Sequence, residues 1–158
     1  MNCYKRTGSV FLLALLGLVT APGRSIGADS KVFGPSNCAV ETGDPTGVEF
    51  TTAGITNTSG NPITLHCDIN RDNTGNTNGL SSLQIALTDS TGGVLCNAWS
   101  FDRYDNALAL SQRTSAGPIT QVMDFGSSLN VSVSKGHYTI ECFIDNGTTI
   151  HSIYVNEY

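Results

Sequence analysis

The chain has 158 residues, 39% of them hydrophobic and 13% charged, and its formal net charge is −5 at pH 7. Its 8 lysine and arginine side chains form no cluster. Binding to nucleic acid or to anionic membrane surfaces relies on clustered positive charge, so we exclude both as partners. A chain of this length can bury one hydrophobic core and is short for two.

The N-terminal segment has the pattern of an export signal. Two basic residues precede an apolar run over 10–19, and small residues follow up to Ala28. The run is about half of the roughly 20 residues that a bilayer-spanning helix needs, so we expect no stable membrane insertion. We predict a signal peptide over 1–28, with cleavage after Ala21 as the alternative, and one mature domain over 29–158 that is secreted, periplasmic or at the cell surface.

Downstream, short segments of alternating apolar and polar side chains are separated by turns rich in glycine, serine, threonine and asparagine. This pattern predicts an all-β fold, and no window shows a sustained helical period. Strands are predicted over 47–56 and 62–69. In the second of these, one face carries the apolar side chains of Ile63, Leu65, Cys67 and Ile69.

The residue pattern in the middle of the chain predicts two hairpins. The first joins 82–88 to 94–101 through a polar loop, and the second joins 119–125 to 129–133. The strand over 94–101 carries apolar side chains on both faces. Val94, Cys96 and Ala98 share one face and alternate with a second apolar set. That second set comprises Leu95, Trp99 and Phe101.

The sharpest local signal is Asn146-Gly147, a two-residue turn that predicts a third hairpin. Its register would place Cys142 opposite His151 and Ile140 opposite Ile153. His151 would then lie on the apolar face among core residues. In total, seven to nine antiparallel strands are predicted, and they imply a sandwich of two packed sheets.

Removing the signal peptide removes Cys3 and three basic side chains, which leaves 5 basic against 13 acidic residues, a formal charge of about −8, and four cysteines. An even cysteine count outside the cytosol indicates disulfides, and four cysteines allow three pairings. We favour Cys38 with Cys67, which ties the irregular N-terminal segment to an early strand. Cys96 with Cys142 would then join two strands through inward-facing side chains.

A polar loop over 68–79 carries oxygen-bearing side chains at alternate positions, as calcium loops do. Asp68, Asn70 and Asp72 are the candidate ligands. The loop lacks the glycine and the glutamate that an EF-hand has at its sixth and twelfth positions. We favour a polar connection between two strands, because the loop is rich in turn-forming residues, and calcium binding is the alternative.

A second polar cluster follows the strand that contains Trp99. Asp102, Tyr104 and Asp105 are candidate ligand-binding residues, because aromatic rings stack on sugar faces and carboxylates bind sugar hydroxyls. Paired carboxylates also serve glycoside hydrolysis, but that mechanism depends on their separation and on a raised pKa, neither of which a sequence shows.

The usual local signatures of enzymes are missing from the sequence. There is no Gly-x-Ser-x-Gly nucleophile elbow, no Cys-x-x-Cys pair and no pair of histidines at a metal-ligand spacing. We therefore predict that the protein is not an enzyme and needs no cofactor, unless calcium binds at the polar loop.

Several short motifs resemble those of a widespread, uncharacterised group of small exported bacterial proteins. They are Gly54-Ile55-Thr56-Asn57-Thr58-Ser59, Ile63-Thr64-Leu65-His66-Cys67 followed by Arg71-Asp72, Asp102-Arg103-Tyr104, Tyr138-x-Ile140-x-Cys142, and Ser152-x-Tyr154-Val155-x-Glu157. The resemblance implies a β-sandwich with an envelope or secreted location. It transfers no activity and no functional residues.

Together these features predict a noncatalytic, exported β-sandwich that acts in binding or in surface structure, with an unknown protein or glycan as its ligand. One alternative is a calcium-dependent carbohydrate-binding module. The other is a pilin-like fibre subunit, because pilins exchange strands and end in a strand with a tyrosine near the terminus, as Tyr154 and Tyr158 are here.

Overall fold

A computed structural model describes residues 29–71, 80–130 and 136–157, and the predicted signal peptide lies outside them. The described residues form a sandwich of two antiparallel sheets, which confirms the predicted fold class. The eleven strands are β1 (Asp29–Phe33), β2 (Cys38–Thr42), β3 (Val48–Thr51), β4 (Gly54–Asn57), β5 (Ile63–Asn70), β6 (Leu80–Thr88), β7 (Leu95–Phe101), β8 (Ala107–Thr114), β9 (Thr120–Asp124), β10 (His137–Ile144) and β11 (Thr149–Glu157). Two short 3-10 turns, Pro35–Asn37 and Pro45–Gly47, flank β2.

We call the six-stranded sheet sheet A and the five-stranded one sheet B. In sheet A the strand order is β3-β4-β11-β6-β9, and β1 also pairs with β11. In sheet B the order is β2-β5-β10-β7-β8. The strand count exceeds the predicted seven to nine because β1, β2 and β8 were not predicted and because the strand predicted over 47–56 is divided in two.

The core lies between the two inner faces. Leu65 and Ile140 contribute from sheet B, and Leu83 and Ile85 from sheet A, all with no exposed surface. Each such side chain stabilises the fold by roughly 1.5–3 kcal/mol relative to an exposed position. The predicted inward face of the strand over 62–69 is confirmed, because Ile63, Leu65, Cys67 and Ile69 are all buried in β5.

Both disulfides have the predicted pairing, Cys38 with Cys67 and Cys96 with Cys142. Each joins residues that lie directly opposite each other on neighbouring strands of sheet B. Both bonds lie on the inner face of that sheet, so the four cysteines stabilise the core as covalent links between strands.

Two of the predicted hairpins are wrong, because the chain crosses from one sheet to the other at each turn. β6 pairs with β9 and β11 in sheet A, whereas β7 pairs with β8 and β10 in sheet B. Likewise β10 lies in sheet B and β11 in sheet A. Each strand is thereby paired on both sides, and its apolar face packs against the opposite sheet.

The turn at Asn146-Gly147 does form, with the Thr148 N–H donating to the Asp145 carbonyl at 3.1 Å, but it does not set the register of a hairpin. Cys142 lies opposite Cys96 and Leu65 instead of His151. A bulge between Ile150 and Ser152 in β11 lets Ile150 and Ile153 both point inward.

His151, predicted to lie among core residues, is instead on the outside of the bulge. Its Nε2 is 2.8 Å from the Thr88 hydroxyl and its Nδ1 is 2.8 Å from the Ala53 carbonyl. The histidine therefore links β11 to β6 and to the β3–β4 turn at the surface. The bulge removes it from the alternation that placed it inside.

The strand predicted over 47–56 is two strands, β3 and β4, which pair with each other across a tight turn. The chain reverses there because Gly54 has φ +148, and a Cβ at this position would lie 2.3 Å from the Ile150 carbonyl oxygen. The strand predicted over 119–125 is β9. Of its predicted partner over 129–133, Leu129 is in a turn and 131–133 lie outside the described residues.

Candidate ligand-binding face

The outer face of sheet B combines aromatic, apolar and polar side chains, and we call it the candidate face. Cys96, Ala98 and Ser100 of β7 are buried in the inner face, so the alternate residues of that strand point outward. These are Leu95, Asn97, Trp99 and Phe101, and each is partly exposed. The apolar weight that the sequence places on the second side of β7 thus lies on the surface of the sandwich.

A row of polar side chains crosses the candidate face, and we call it the polar row. It runs over four adjacent strands through Gln112, Asn97, Glu141 and His66, which lie opposite one another in the strand register. The Gln112 amide donates to Asn97 Oδ1 at 2.8 Å, and the Asn97 amide donates to Glu141 Oε2 at 3.4 Å. These hydrogen bonds link three side chains of the row, Gln112, Asn97 and Glu141, whereas the fourth, His66, has its Nε2 3.1 Å from Asp68 Oδ1.

Apolar side chains flank the polar row on both sides. On one side Trp99 lies opposite Leu110, which is 49% exposed. On the other side Leu95 lies opposite Phe143, which is 41% exposed. Contact between water and large apolar side chains is unfavourable, so several of them together on an outer face indicate a binding surface. A hydrogen-bonding row between apolar strips provides the two kinds of contact that a sugar ring uses.

Trp99 is the first of three rings that contact one another in sequence toward the end of β7. Its centroid is 6.2 Å from that of Phe101, and the Phe101 ring stacks on His137 of β10 at 5.1 Å. His137 Nε2 is in turn 3.8 Å from Asp105 Oδ1. An aromatic path therefore leads from the middle of the candidate face to the loop that contains the predicted residues Asp102, Tyr104 and Asp105.

Asp102 organises that loop. Its Oδ1 accepts hydrogen bonds from the backbone N–H groups of Tyr104 at 2.7 Å and Asn106 at 3.0 Å, and its Oδ2 accepts one from the Asn106 amide at 2.8 Å. Hydrogen bonds from the side chain and backbone of Asn106, and then that from the Tyr104 backbone, hold the pKa of Asp102 below its ordinary value. A carboxyl group held ionised in this way is unsuited to act as a general acid.

The other two predicted loop residues are open to solvent. Tyr104 is 67% exposed, and the Arg103 guanidinium lies over its ring, 4.5 Å from the centroid. Asp105 has φ +62, a left-handed backbone conformation that is uncommon for residues other than glycine. The Asp102 hydrogen bonds hold the loop in this shape, with Tyr104 exposed in it.

Two of the three predicted calcium ligands also lie on sheet B. Asp68 and Asn70 are exposed residues of β5, and Asp68 Oδ1 is 3.1 Å from His66 Nε2. Asp72 lies outside the described residues. Within the described part of the chain, no group of three or more histidine, cysteine, aspartate or glutamate side chains could hold a metal ion. Calcium binding at this loop stays a prediction.

The strand ends that precede the two predicted loops lie at the same end of sheet B. Asn70 at the end of β5 and Phe101 at the end of β7 both lie opposite His137 of β10.

The polar row itself could not be found from the sequence. Its residues, Gln112, Asn97, Glu141 and His66, belong to strands whose order in the sheet is not their order in the chain. The detectable signal was the apolar second face of β7.

No protein-family model and no curated protein matches this sequence. Loosely similar solved structures include a family two carbohydrate esterase from Cellvibrio japonicus, with a TM-score of 0.47 and 11% identity over 83% of this chain and 34% of that one. A GH26-CBM35 β-(1,4)-mannanase from Podospora anserina gives 0.47 and 16% identity over 82% and 28%. The xylan-binding module CBM86 from Roseburia intestinalis gives 0.45 and 13% identity over 82% and 96%.

The chain spans about a third of the length of the first two proteins. At these scores and identities the ligands named for those proteins do not transfer to this chain. The resemblance to exported bacterial proteins likewise stays a prediction. In the part of the chain that the structure describes, no helix is long and apolar enough to cross a bilayer.

Proposed function

We propose that the mature domain is an exported, noncatalytic module that binds a glycan on the candidate face. The observation that carries this proposal is the polar row between two apolar strips, with Trp99 beside it. Sugar rings have apolar faces and hydroxyl-bearing edges, so a ring stacked on Trp99 would bring hydroxyl groups within reach of Asn97, Glu141 and Gln112. Those side chains offer both donors and acceptors.

The shape of the face supports a polymeric ligand. The outward side chains of β7 extend from Leu95 to Phe101, a distance of about 20 Å at a rise of about 3.3 Å per residue. Tyr104 is 67% exposed in the loop that follows Phe101. A chain of several sugar rings could therefore contact the face along its whole length, which a single ring could not do.

The two alternatives that involve other chemistry have less support. A hydrolase that used Asp102 as its acid conflicts with the hydrogen bonds that keep this carboxylate ionised. A fibre subunit that accepts a donated strand needs an open hydrophobic groove. In the described sandwich the facing sheet covers the inner side chains of the central strands, such as Leu65, Ile85 and Ile140, which have no exposed surface.

The test compares Trp99→Ala with Phe50→Ala. Phe50 is an aromatic residue that is 54% exposed on β3 of sheet A, so it matches Trp99 in chemistry but lies on the other sheet. The mature domain is screened on a glycan array, and the best oligosaccharide is titrated by calorimetry. We expect Trp99→Ala to weaken binding about tenfold or more, through loss of stacking and apolar contact, and Phe50→Ala to leave it unchanged.

Two further measurements make the result interpretable. Melting temperatures of both variants establish that they fold, and Trp99→Phe, which keeps an aromatic ring, should retain part of the affinity. If no glycan binds, or if Trp99→Ala binds as tightly as the unaltered domain, the proposal is wrong.

Calcium dependence is a separate proposal for the same domain. Calorimetric titration with calcium, alone and with the oligosaccharide present, tests it in the unaltered domain and in Asp68→Ala. Heat of binding that disappears in the variant would support a site at the polar loop. No heat at millimolar calcium would remove calcium from the mechanism without affecting the stacking role of Trp99.

A further inference from the structure

We infer that the candidate face selects glycans that carry free amino groups, an inference that rests on the glycan-binding function proposed above. The central residue is Glu141. It lies on β10 directly opposite Asn97 of β7, two positions in the register from the Trp99–Thr139 pair. Phe143 lies two residues further along β10 on the same face. Glu141 therefore places a carboxylate between an aromatic ring on its own strand and an indole on the next.

This combination suits an ammonium group better than a hydroxyl group. Ammonium groups are attracted to the faces of aromatic rings, most strongly to tryptophan, and form charge-assisted hydrogen bonds with carboxylates. One Glu141 oxygen, Oε2, accepts the hydrogen bond from Asn97. The other oxygen, Oε1, takes no hydrogen bond from any described residue, so it can accept one from a ligand. The Asn97 bond holds the carboxylate in place for that contact.

The carboxylates of the face and of the loop beyond β7, namely Glu141, Asp68, Asp102 and Asp105, outnumber Arg103, the one arginine of that loop. Asp68 lies on β5 diagonally across from Glu141, since its neighbour in the alternation, His66, is directly opposite Glu141. The described strands of the candidate face carry no lysine or arginine on their outer side. Arg113 of β8 is opposite the buried Cys96, and its Nε donates to the Asp124 carbonyl of sheet A at 2.9 Å.

The negative field has two consequences for ligand choice. Uronate-containing or sulfated glycans would meet like charge, which disfavours them. A polymer of amino sugars would meet complementary charge along its length, and such complementarity sets specificity and association rate. The ligand class that fits stacking, hydrogen bonding and charge together is a linear glycan with unsubstituted amino groups.

Glucosamine oligomers and their N-acetylated counterparts provide a matched pair of ligands, because acetylation removes the charge and keeps the sugar backbone. We expect the free-amine oligomer to bind the mature domain about tenfold more tightly at low salt, and rising salt to reduce this preference. Glu141→Gln keeps the shape of the side chain and its contact with Asn97. It should bring the ratio of the two affinities close to one and change binding of the N-acetylated oligomer little.

Glu49→Gln serves as the control, because Glu49 is an exposed carboxylate on β3 of sheet A and its removal should preserve the preference. If neither oligomer nor any other glycan binds, the proposed function itself fails. If both oligomers bind equally, or if Glu141→Gln retains the preference, only the amino-group specificity fails. Equal binding of an oligolysine of matched charge would also overturn it, since the face would then recognise charge without the sugar.

Discussion

Asn97 and Glu141 lie directly opposite each other on β7 and β10, immediately beside the disulfide that joins Cys96 to Cys142. The disulfide faces the core and the Asn97–Glu141 pair faces solvent, because successive residues of a strand point to opposite sides. The covalent bond therefore holds the register of the polar row from beneath. The Cys38–Cys67 bond holds His66, at the other end of that row, in the same way.

Removal of either disulfide should destabilise the domain strongly. The bonds close loops with sequence separations of 29 and 46 residues, and in the chain-entropy model each loop contributes about 4 kcal/mol. We expect each Cys-to-Ala double variant to lose about that much free energy of unfolding in urea titrations without reductant. A loss under about 1 kcal/mol would contradict a structural role for that bond.

Asp89 should make the free energy of unfolding depend on pH in the acid range. Its buried carboxylate accepts hydrogen bonds from the Ser115 hydroxyl and from the N–H groups of Thr91, Gly92 and Gly93 at 2.9–3.0 Å. Burial raises its pKa, but the hydrogen bonds outweigh burial and lower the pKa to about 2. Because the folded pKa lies below the unfolded value, this stabilisation is complete above about pH 4 and is lost as the pH falls toward 2.

Asp89→Asn removes the charge and keeps the size of the side chain. We expect it to lower the free energy of unfolding at neutral pH by about 2 kcal/mol and to flatten the dependence of stability on pH between about 4 and 2. Thermal unfolding at a series of pH values measures both effects. Glu41→Gln, at an exposed position of β2, is the control and should leave the slope unchanged. An unchanged slope in Asp89→Asn would refute this role of Asp89.

The C-terminal strand is held by a buried ion pair. Arg71 Nε is 3.3 Å from Glu157 Oε1, with the two side chains 1% and 2% exposed, and Lys31 Nζ is 3.8 Å from Glu157 Oε2. Glu157→Gln removes a buried negative charge that contacts both Arg71 and Lys31, and breaking a buried ion pair in this way costs roughly 3 kcal/mol or more. Chemical denaturation measures the loss. Glu49→Gln on the surface should cost less than about 0.5 kcal/mol, and equal losses in the two variants would contradict the prediction.

Gly54 is a backbone position with little tolerance for a side chain. Its φ is positive, and an added Cβ would lie only 2.3 Å from the Ile150 carbonyl oxygen, so both features oppose substitution. We expect Gly54→Ala to lose about 2 kcal/mol or more, because the β3–β4 turn or the β4–β11 pairing must shift. Gly34→Ala is the control, since a Cβ there meets no atom within 4 Å. Equal melting temperatures for the two variants would count against the close approach.

Alternation within single strands was the part of the structure that local pattern predicted well. In β5 the apolar residues recur at every second position, so one face was predicted to be buried. Cys67 lies on that face. The same reasoning put Cys96 and Cys142 on inner faces and supported the correct pairing. The same rule predicted the wrong side for His151, because a bulge in β11 shifts the alternation by one residue. That bulge depends on pairing with β6.

Turn chemistry predicted where the chain reverses but not where it goes next. Asn146-Gly147 favours a tight turn whether the following strand stays in the same sheet or crosses to the other one. The crossing is favoured because β10 already has β5 and β7 as neighbours, and β11 gains β6, β1 and β4 in sheet A. Those partners come from distant parts of the chain, so no local window contains the information.

Composition and a period of two residues were enough to predict the class of the fold, the inward faces of the central strands and the acidic net charge of the chain. The folded sandwich alone shows the strand order that aligns Gln112, Asn97, Glu141 and His66 and places Trp99 beside them. That alignment arises from pairing between strands far apart in sequence, which is set by burial of two whole faces against each other.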